Sequence, residues 1–465
     1  MVGRSSARRL ARETVRRGAA PVATRAAMMY SSLQPTGNLQ ATYRSRHVML
    51  RDVPGIRLVY ANRTVGTSTD GADGSVPNAI TVKASVTVGG VIYPLSFGGR
   101  RSVTLDVDGE VLSDPFMLPI SAWTEMWVLS NVSVADTTMR WPLGVVSNSG
   151  ATESAGGGKS EGRKLEADTT ATGVYDVYTA GMYHPISIRA AGGREVEAWA
   201  GFGDSLLQGY NATVADASFA ARAFRLAGVP FVNLARTAET ADGFPLRWRR
   251  NALAAGCAKA LVHYGTNDLY GAGKTLQATK NALALIVSTL AGMGMTPYVC
   301  TLSPRTTSTD GWLTTGNQTV GAAESNRLAL NAWILSGGLA GAAILDTAAL
   351  VEASGGKWIA ASVLRSGTAT GGTTGTLLDS GIAAPSYALT GITGFDGCLL
   401  RMTSGANNGQ TRTINSGNAG SVSFATFSSA VAAGDTYDIL EVATLDGIHP
   451  SNRSHQRMMG ALPLW

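Results

Sequence analysis

The tetrapeptide Gly203-Asp204-Ser205-Leu206 decides how this chain is read. An apolar run, Val196 to Ala200, precedes it, and a stretch with helical spacing, Leu206 to Ala227, follows. A serine on a strand-to-helix turn presents its hydroxyl at the sheet edge. Its own N–H then lies at a helix N-terminus, where partial positive charge can hold an oxyanion. Alone, the tetrapeptide says little. Two later segments give it weight: Gly265-Thr266-Asn267-Asp268 and Asp446-Gly447-Ile448-His449-Pro450. Ser205 needs a base, because a free hydroxyl is barely ionised at neutral pH. His449 can take its proton, and Asp446, three residues earlier, can reach the far ring nitrogen within one tight turn. Asn267 follows an apolar run ending at Tyr264, and its amide can donate to an oxygen that becomes negative.

Working outward, strands and helices alternate from about residue 193. Strand candidates are Val196–Ala200, Phe231–Leu234, Ala260–Tyr264, Thr296–Leu302 and Ala342–Leu345. Helical stretches lie between them at Leu206–Ala227, Pro245–Ala255, Leu276–Gly292 and Gly321–Leu335. This alternation predicts a parallel sheet with helices on both faces and a ligand site beyond the strand carboxyl ends. Residues 49–192 read as β, with short runs such as Ile56–Tyr60, Ala79–Val88 and Met126–Val134 punctuated by turn residues, and predict a β-sandwich of jelly-roll kind. Its last strands are expected to be split by a flexible Gly/Ser-rich loop, Ser147 to Thr170. Residues 351–440 are rich in Gly, Thr and Ser and predict a small inserted β module. The α/β pattern resumes over 441–465, with Pro450 expected at the first position of a last helix.

The first 28 residues carry seven arginines and one acid, Glu13, which accounts for the whole formal charge of +6. The basic balance therefore belongs to an N-terminal arm, taken as residues 1–48, and not to a nucleic-acid-binding face. That arm lacks the apolar core of a secretory signal, and no apolar run approaches a membrane span. The three cysteines, Cys257, Cys300 and Cys398, have no metal-type spacing and read as buried free thiols.

The three blocks, Gly203–Leu206, Gly265–Asp268 and Asp446–Pro450, resemble the SGNH (GDSL) hydrolase superfamily in order, strand position and separation. The resemblance covers residues 193–348 and 441–465. It implies an α/β fold, a flavodoxin-like three-layer α/β/α sandwich, and a Ser-His-Asp ester hydrolase that needs no cofactor and no metal. By that resemblance Ser205 is the nucleophile, His449 the base and Asp446 its partner. The oxyanion donors are the Ser205 N–H, the Asn267 side chain and the N–H of Ala238, which stands where the family usually has glycine.

Other features rank lower. Gly158-Lys159-Ser160-Glu161-Gly162 lacks a preceding strand, and Gly271-Ala272-Gly273-Lys274-Thr275 reads as a helix start and not a phosphate loop. His263 is expected as a satisfied core or supporting residue, and His47, His184 and His455 show no obvious partners. Asp204 and Asp268 are expected to cap helices or brace loops. For Arg247-Trp248-Arg249-Arg250 a solvated helix face is the first reading and an anion contact the second. Pro304 to Trp312 is expected at the rim of the cleft. The inserted module resembles β repeats of bacteriophage tail and fibre proteins, through turns such as Arg401-Met402-Thr403-Ser404-Gly405 and Gly434-Asp435-Thr436-Tyr437. A jelly-roll-like domain ahead of the hydrolase part also resembles some carbohydrate esterases. The expected substrate is thus an O-acetylated surface polysaccharide. A general short-chain ester, or a structural or receptor-binding tail role, is the alternative. The expected location is a virion tail or the medium after lysis, or else the cytoplasm, with a homo-oligomer or virion assembly left open and no nucleic-acid or membrane partner.

Overall fold

The computed structural model describes residues 20–24, 30–65, 73–144, 161–177, 181–192, 197–210, 218–383, 395 and 397–464. The seven arginines of residues 1–28, most of the Ser147–Thr170 loop and the Gly158–Ser160 end of its serine motif lie outside them.

The N-terminal part is built on one antiparallel sheet of eleven strands. Its centre is the trio Gln40–Met49, Glu125–Ser133 and Ile80–Val88, with Leu129 opposite both Arg44 and Ser85. β-branched and aromatic residues suit such half-buried strands. The strands Pro21–Thr24 and Gln40–Met49 belong to this same sheet. The arm therefore does not extend to residue 48: burial of Val22, Ala41 and Tyr43 draws its second half into the sheet core.

Five parallel strands follow: β1 (Trp199–Gly203), β2 (Phe231–Asn233), β3 (Lys259–His263), β4 (Thr296–Cys300) and β5 (Ala343–Leu345). They lie in the order β2-β1-β3-β4-β5. Each falls on an expected strand, but β1 runs on to Gly203, directly against the serine. The helices are α1 (Ser205–Gln208), α2 (Phe219–Leu226), α3 (Leu276–Gly292), α4 (Glu324–Leu335) and α5 (Asn452–Met458). Both faces of the sheet carry buried apolar side chains, as in a parallel sheet covered on two sides. Ala200, Phe202, Ala260, Val262 and Val299 join Leu283, Ile286 and Leu290 of α3 and Leu330 and Ile334 of α4 in one apolar cluster. Trp199, Leu261, Cys300 and Leu345 join Phe219 and Phe224 of α2 and Met458 of α5 in another.

Three helix expectations are corrected. The Leu206–Ala227 stretch is not one helix. α1 ends at Gln208, and Ser218, whose hydroxyl accepts the Ala221 N–H, caps a new start for α2. The Pro245–Ala255 stretch breaks into 3₁₀ and α turns over Ala241–Ala254. Pro245 lies inside the first of these, where it cannot donate to a helical ladder. Pro450 stands before the cap of α5, since Ser451 accepts the Ser454 N–H and the helix begins at Asn452.

The late insertion forms a seven-stranded antiparallel sheet from Ser362–Thr368 to Thr436–Glu441. It has its own core, including Leu377, Leu400, Met402, Ile414, Val422 and Ile439. Its entry and exit strands pair with each other, Val363 opposite Leu440. The chain thus leaves and returns side by side, and the last segment reaches the parallel sheet undisplaced.

Leu261, fully buried at the centre of β3, tests the parallel sheet. Leu261→Ala is expected to cost about 3 kcal/mol through lost burial and a residual cavity. A urea unfolding curve with an unchanged midpoint would contradict this packing.

Candidate active site

Ser205 follows β1 directly, as the first residue of α1. Asp204 caps that turn: its Oδ1 accepts the Leu206 N–H at 3.0 Å, while its backbone N–H donates to the His263 carbonyl at 3.3 Å. The serine is thereby pinned where β1 and β3 diverge to different helices, beyond their carboxyl ends.

His449 arrives from the other end of the chain. Residues 444–450 close on themselves through a bridge between Thr444 and Pro450. Within this loop Asp446 Oδ1 accepts the N–H groups of Ile448 at 2.9 Å and His449 at 2.8 Å. Its Oδ2 lies 2.7 Å from His449 Nδ1, and His449 Nε2 lies 2.8 Å from Ser205 Oγ. Burial raises the Asp446 carboxyl, but the ring and backbone N–H groups of His449 outweigh it and hold the group at about 2. A carboxylate only accepts, so Nδ1 carries the proton of the neutral ring and Nε2 is left to accept from the serine hydroxyl. The Tyr210 ring leans on the imidazole, with centroids 4.4 Å apart.

Gly447 shapes the loop. Its φ is +78°, and a Cβ there would stand 1.8 Å from the Thr306 carbonyl oxygen. Its own carbonyl accepts the Thr306 N–H at 2.9 Å and the indole N–H of buried Trp358 at 3.0 Å. The rim expected over Pro304 to Trp312 is a hairpin, Thr306–Ser308 paired with Gln318–Val320. It works as a brace: Trp312 sits against Gly447 and donates its ring N–H to Thr306 Oγ1 at 2.9 Å.

Asn267 opens a single π-type turn, Asn267–Gly271, just past β3. Such turns are frequent at functional sites. One side-chain N–H donates to the Glu239 carbonyl at 3.1 Å, leaving the other to point elsewhere. Ala238 has φ +67°, the left-handed region that glycine adopts freely and other residues resist. This chain keeps the backbone shape expected of the glycine while carrying a methyl group. Among the described residues, neither the Ser205 N–H nor the Ala238 N–H meets an acceptor.

The surroundings correct several expectations. His47 bonds Ser45 Oγ at 2.9 Å, His184 Nδ1 lies 2.9 Å from the Pro185 carbonyl, and His455 Nδ1 accepts the Phe219 N–H at 3.2 Å. His263 is buried as expected, but among the described residues neither ring nitrogen has a hydrogen-bond partner, and burial lowers it to about 4. It faces Asp204 at 3.9 Å. Burial, and then the charges of Asp268 and Glu239, push Asp204 up to about 8, against the opposing Leu206 N–H. Asp268 braces a loop as expected, accepting the Ala241 N–H at 3.0 Å, and burial raises it to about 6. Arg247 and Arg250 do not line a solvated face: both are buried on the carboxylate of Glu239. Arg249 pairs instead with Asp108 of the N-terminal unit. Thr275 caps α3, and all three cysteines are buried.

Sequence reasoning missed Tyr210, Glu239 and the Trp358 contact. Only Gly447, between Asp446 and His449, signalled that a neighbour crowds the loop.

Two outcomes follow from this geometry. Gly447→Ala forces the methyl group into the Thr306 carbonyl, so ester-cleaving activity, where measured, is expected to fall at least tenfold; unchanged activity would contradict the close contact. For Asp204 the folded-state value lies above the unfolded value of about 3.9. The native state therefore holds a proton that the unfolded chain has released, and stability falls as pH rises from about 4 through about 8. Asp204→Asn keeps a capping oxygen and is expected to flatten that decline in unfolding curves taken across this range.

No protein-family model matches the chain, and no curated protein matches it. Solved structures do. A GDSL-like lipase from Bacteroides thetaiotaomicron is 14% identical, with TM-score 0.28 over 35% of this chain and 74% of that one. An acetyl-xylooligosaccharide esterase from Geobacillus is 13% identical, with TM-score 0.26 over 34% and 80%. A family two carbohydrate esterase from Clostridium thermocellum is 10% identical, with TM-score 0.26 over 70% and 88%.

Proposed function

We propose that this chain is a serine ester hydrolase of the SGNH type, its parallel sheet and flanking helices forming a three-layer α/β/α sandwich. The observation that carries the reading is the hydrogen-bonded chain Ser205–His449–Asp446 at 2.8 and 2.7 Å. Ser205 Oγ attacks the ester carbonyl as His449 Nε2 takes its proton, and Asp446 stabilises the imidazolium. The negative oxygen is held by the N–H groups of Ser205 and Ala238 and by the Asn267 amide. His449 then protonates the departing alcohol, leaving an acyl group on Ser205. A water molecule, deprotonated by the same imidazole, releases the acid and restores the serine.

The substrate reading is O-acetyl groups on a carbohydrate, such as a surface polysaccharide. It is supported by the β unit ahead of the hydrolase part, read as jelly-roll-like, and by the resemblance of the inserted module to phage tail repeats. On the same reading the protein acts from a virion tail or after lysis, where it meets such polymers.

Purified protein is expected to hydrolyse a short p-nitrophenyl ester and to release acetate from an acetylated polysaccharide. Ser205→Ala is expected to lose at least about 10³-fold in kcat, and Asp446→Asn about 10⁴-fold. Folded wild type inert on every ester would sink the hydrolase reading. Activity on simple esters with no acetate release from any polysaccharide would leave a general short-chain esterase.

A further inference from the structure

The turn that carries Ala238 is gripped residue by residue. The Arg236 N–H donates to the Gly203 carbonyl at 3.0 Å. The Thr237 N–H and hydroxyl both donate to Gln208 Oε1, at 2.6 and 2.5 Å. The Thr240 carbonyl accepts from Arg247 Nη1 at 3.1 Å, and the Ala241 N–H is held by Asp268.

Glu239 is the centre of this grip. It is 2% exposed. Its Oε1 meets Arg250 Nη2 at 2.5 Å and Arg247 Nε at 3.2 Å, and its Oε2 accepts the Tyr264 hydroxyl at 3.2 Å. Its own carbonyl accepts the Asn267 amide. One residue is therefore bonded to the left-handed Ala238 on one side and to Asn267 on the other. Arg250, equally buried, also places Nε 3.4 Å from Asp73 Oδ1 in the N-terminal β unit, an ion pair without a hydrogen bond. Apolar side chains would fill this volume at less cost than desolvated ions, so the charges need a reason beyond packing. Directional bonds supply one. A methyl-bearing residue at φ +67° persists only where its surroundings over-determine it.

We propose that Glu239 is a positioning residue for the oxyanion donors at Ala238 and Asn267, and that Arg250 ties it to Asp73. The N-terminal β unit then sets the turnover of the site as well as flanking it. This rests on the ester-hydrolase reading above.

The test is kcat and KM on a short p-nitrophenyl ester, with the thermal midpoint and fluorophosphonate labelling of Ser205 measured beside them. The full chain is compared with Glu239→Gln, Tyr264→Phe, Asp73→Asn and the double variant Glu239→Gln/Ala238→Gly. Glu239→Gln is expected to lower kcat by roughly 10–100-fold, with KM within about twofold and Ser205 still labelled. Tyr264→Phe and Asp73→Asn are expected to lose about three- to tenfold in kcat alone. Glycine at position 238 adopts the left-handed shape without the grip, so the double variant is expected to recover kcat at least about threefold. A merely structural role would not give that rescue. Ser205-dependent activity that stays within about twofold of wild type in Glu239→Gln and Tyr264→Phe overturns the proposal alone. Should Glu239→Gln fail to fold, Tyr264→Phe and Asp73→Asn decide by the same split. Activity that survives Ser205→Ala removes the hydrolase reading, and this proposal with it.

Discussion

A hydrogen bond of 2.8 Å joins two side chains 244 positions apart, Ser205 and His449, and the α/β unit is organised around holding its two ends still. Such a bond is directional and its reach is short, so a displacement of about 1 Å abolishes it. Its serine end is fixed by the divergence of β1 and β3, where the Asp204 backbone and carboxylate both find partners. Its histidine end has no regular element to stand on. Asp446 ties the loop from within, and the Gly447 carbonyl is held from outside by Thr306 and Trp358.

That outside clamp explains how the chain accommodates a β insertion immediately before its last chemical segment. Trp358 lies at the neck of the insertion, and Thr306 lies on the hairpin after β4. The paired entry and exit strands return the chain to its point of departure. Loop closure across such a module then depends on the neck and not on the size of what it carries. The insertion keeps a core of its own, and its Leu399 and Leu440 also pack with Leu313 and Leu445 beside the neck.

Buried charge is concentrated on the other side of the serine. Asp204, Glu239 and Asp268 are almost wholly shielded from solvent, yet they meet it in different ways. Glu239 is matched by two arginines and a tyrosine. Asp268 is held by a backbone N–H. Asp204 has one oxygen capped and, among the described residues, the other without a hydrogen-bond partner, beside the ring of His263. Low dielectric makes matched groups rigid and unmatched ones costly. The matched set lies against the turn that carries Ala238, where a strained backbone needs support.

The sequence by itself determined the candidate residues and their order along the chain. Serine after an apolar strand, asparagine after another, and an aspartate three residues before a histidine are local patterns, because a turn or a strand end is set by a few neighbouring residues. The five parallel strands were legible for the same reason: buried strands read as short apolar runs between helical stretches. What only the tertiary structure decided is what touches what over long separations. Strands at Pro21–Thr24 and Gln40–Met49 joined a sheet that their arginine-rich neighbours obscured, since burial of Val22 and Tyr43 depends on partners far along the chain. Arg247 and Arg250 were legible as charges but not as buried ones, because the carboxylate that pairs with them stands on a turn with no regular period. The left-handed conformation of Ala238 was equally hidden. A methyl group favours the opposite backbone region, and bonds from Gln208, Arg247, Asp268 and Asn267 converge on the turn around it.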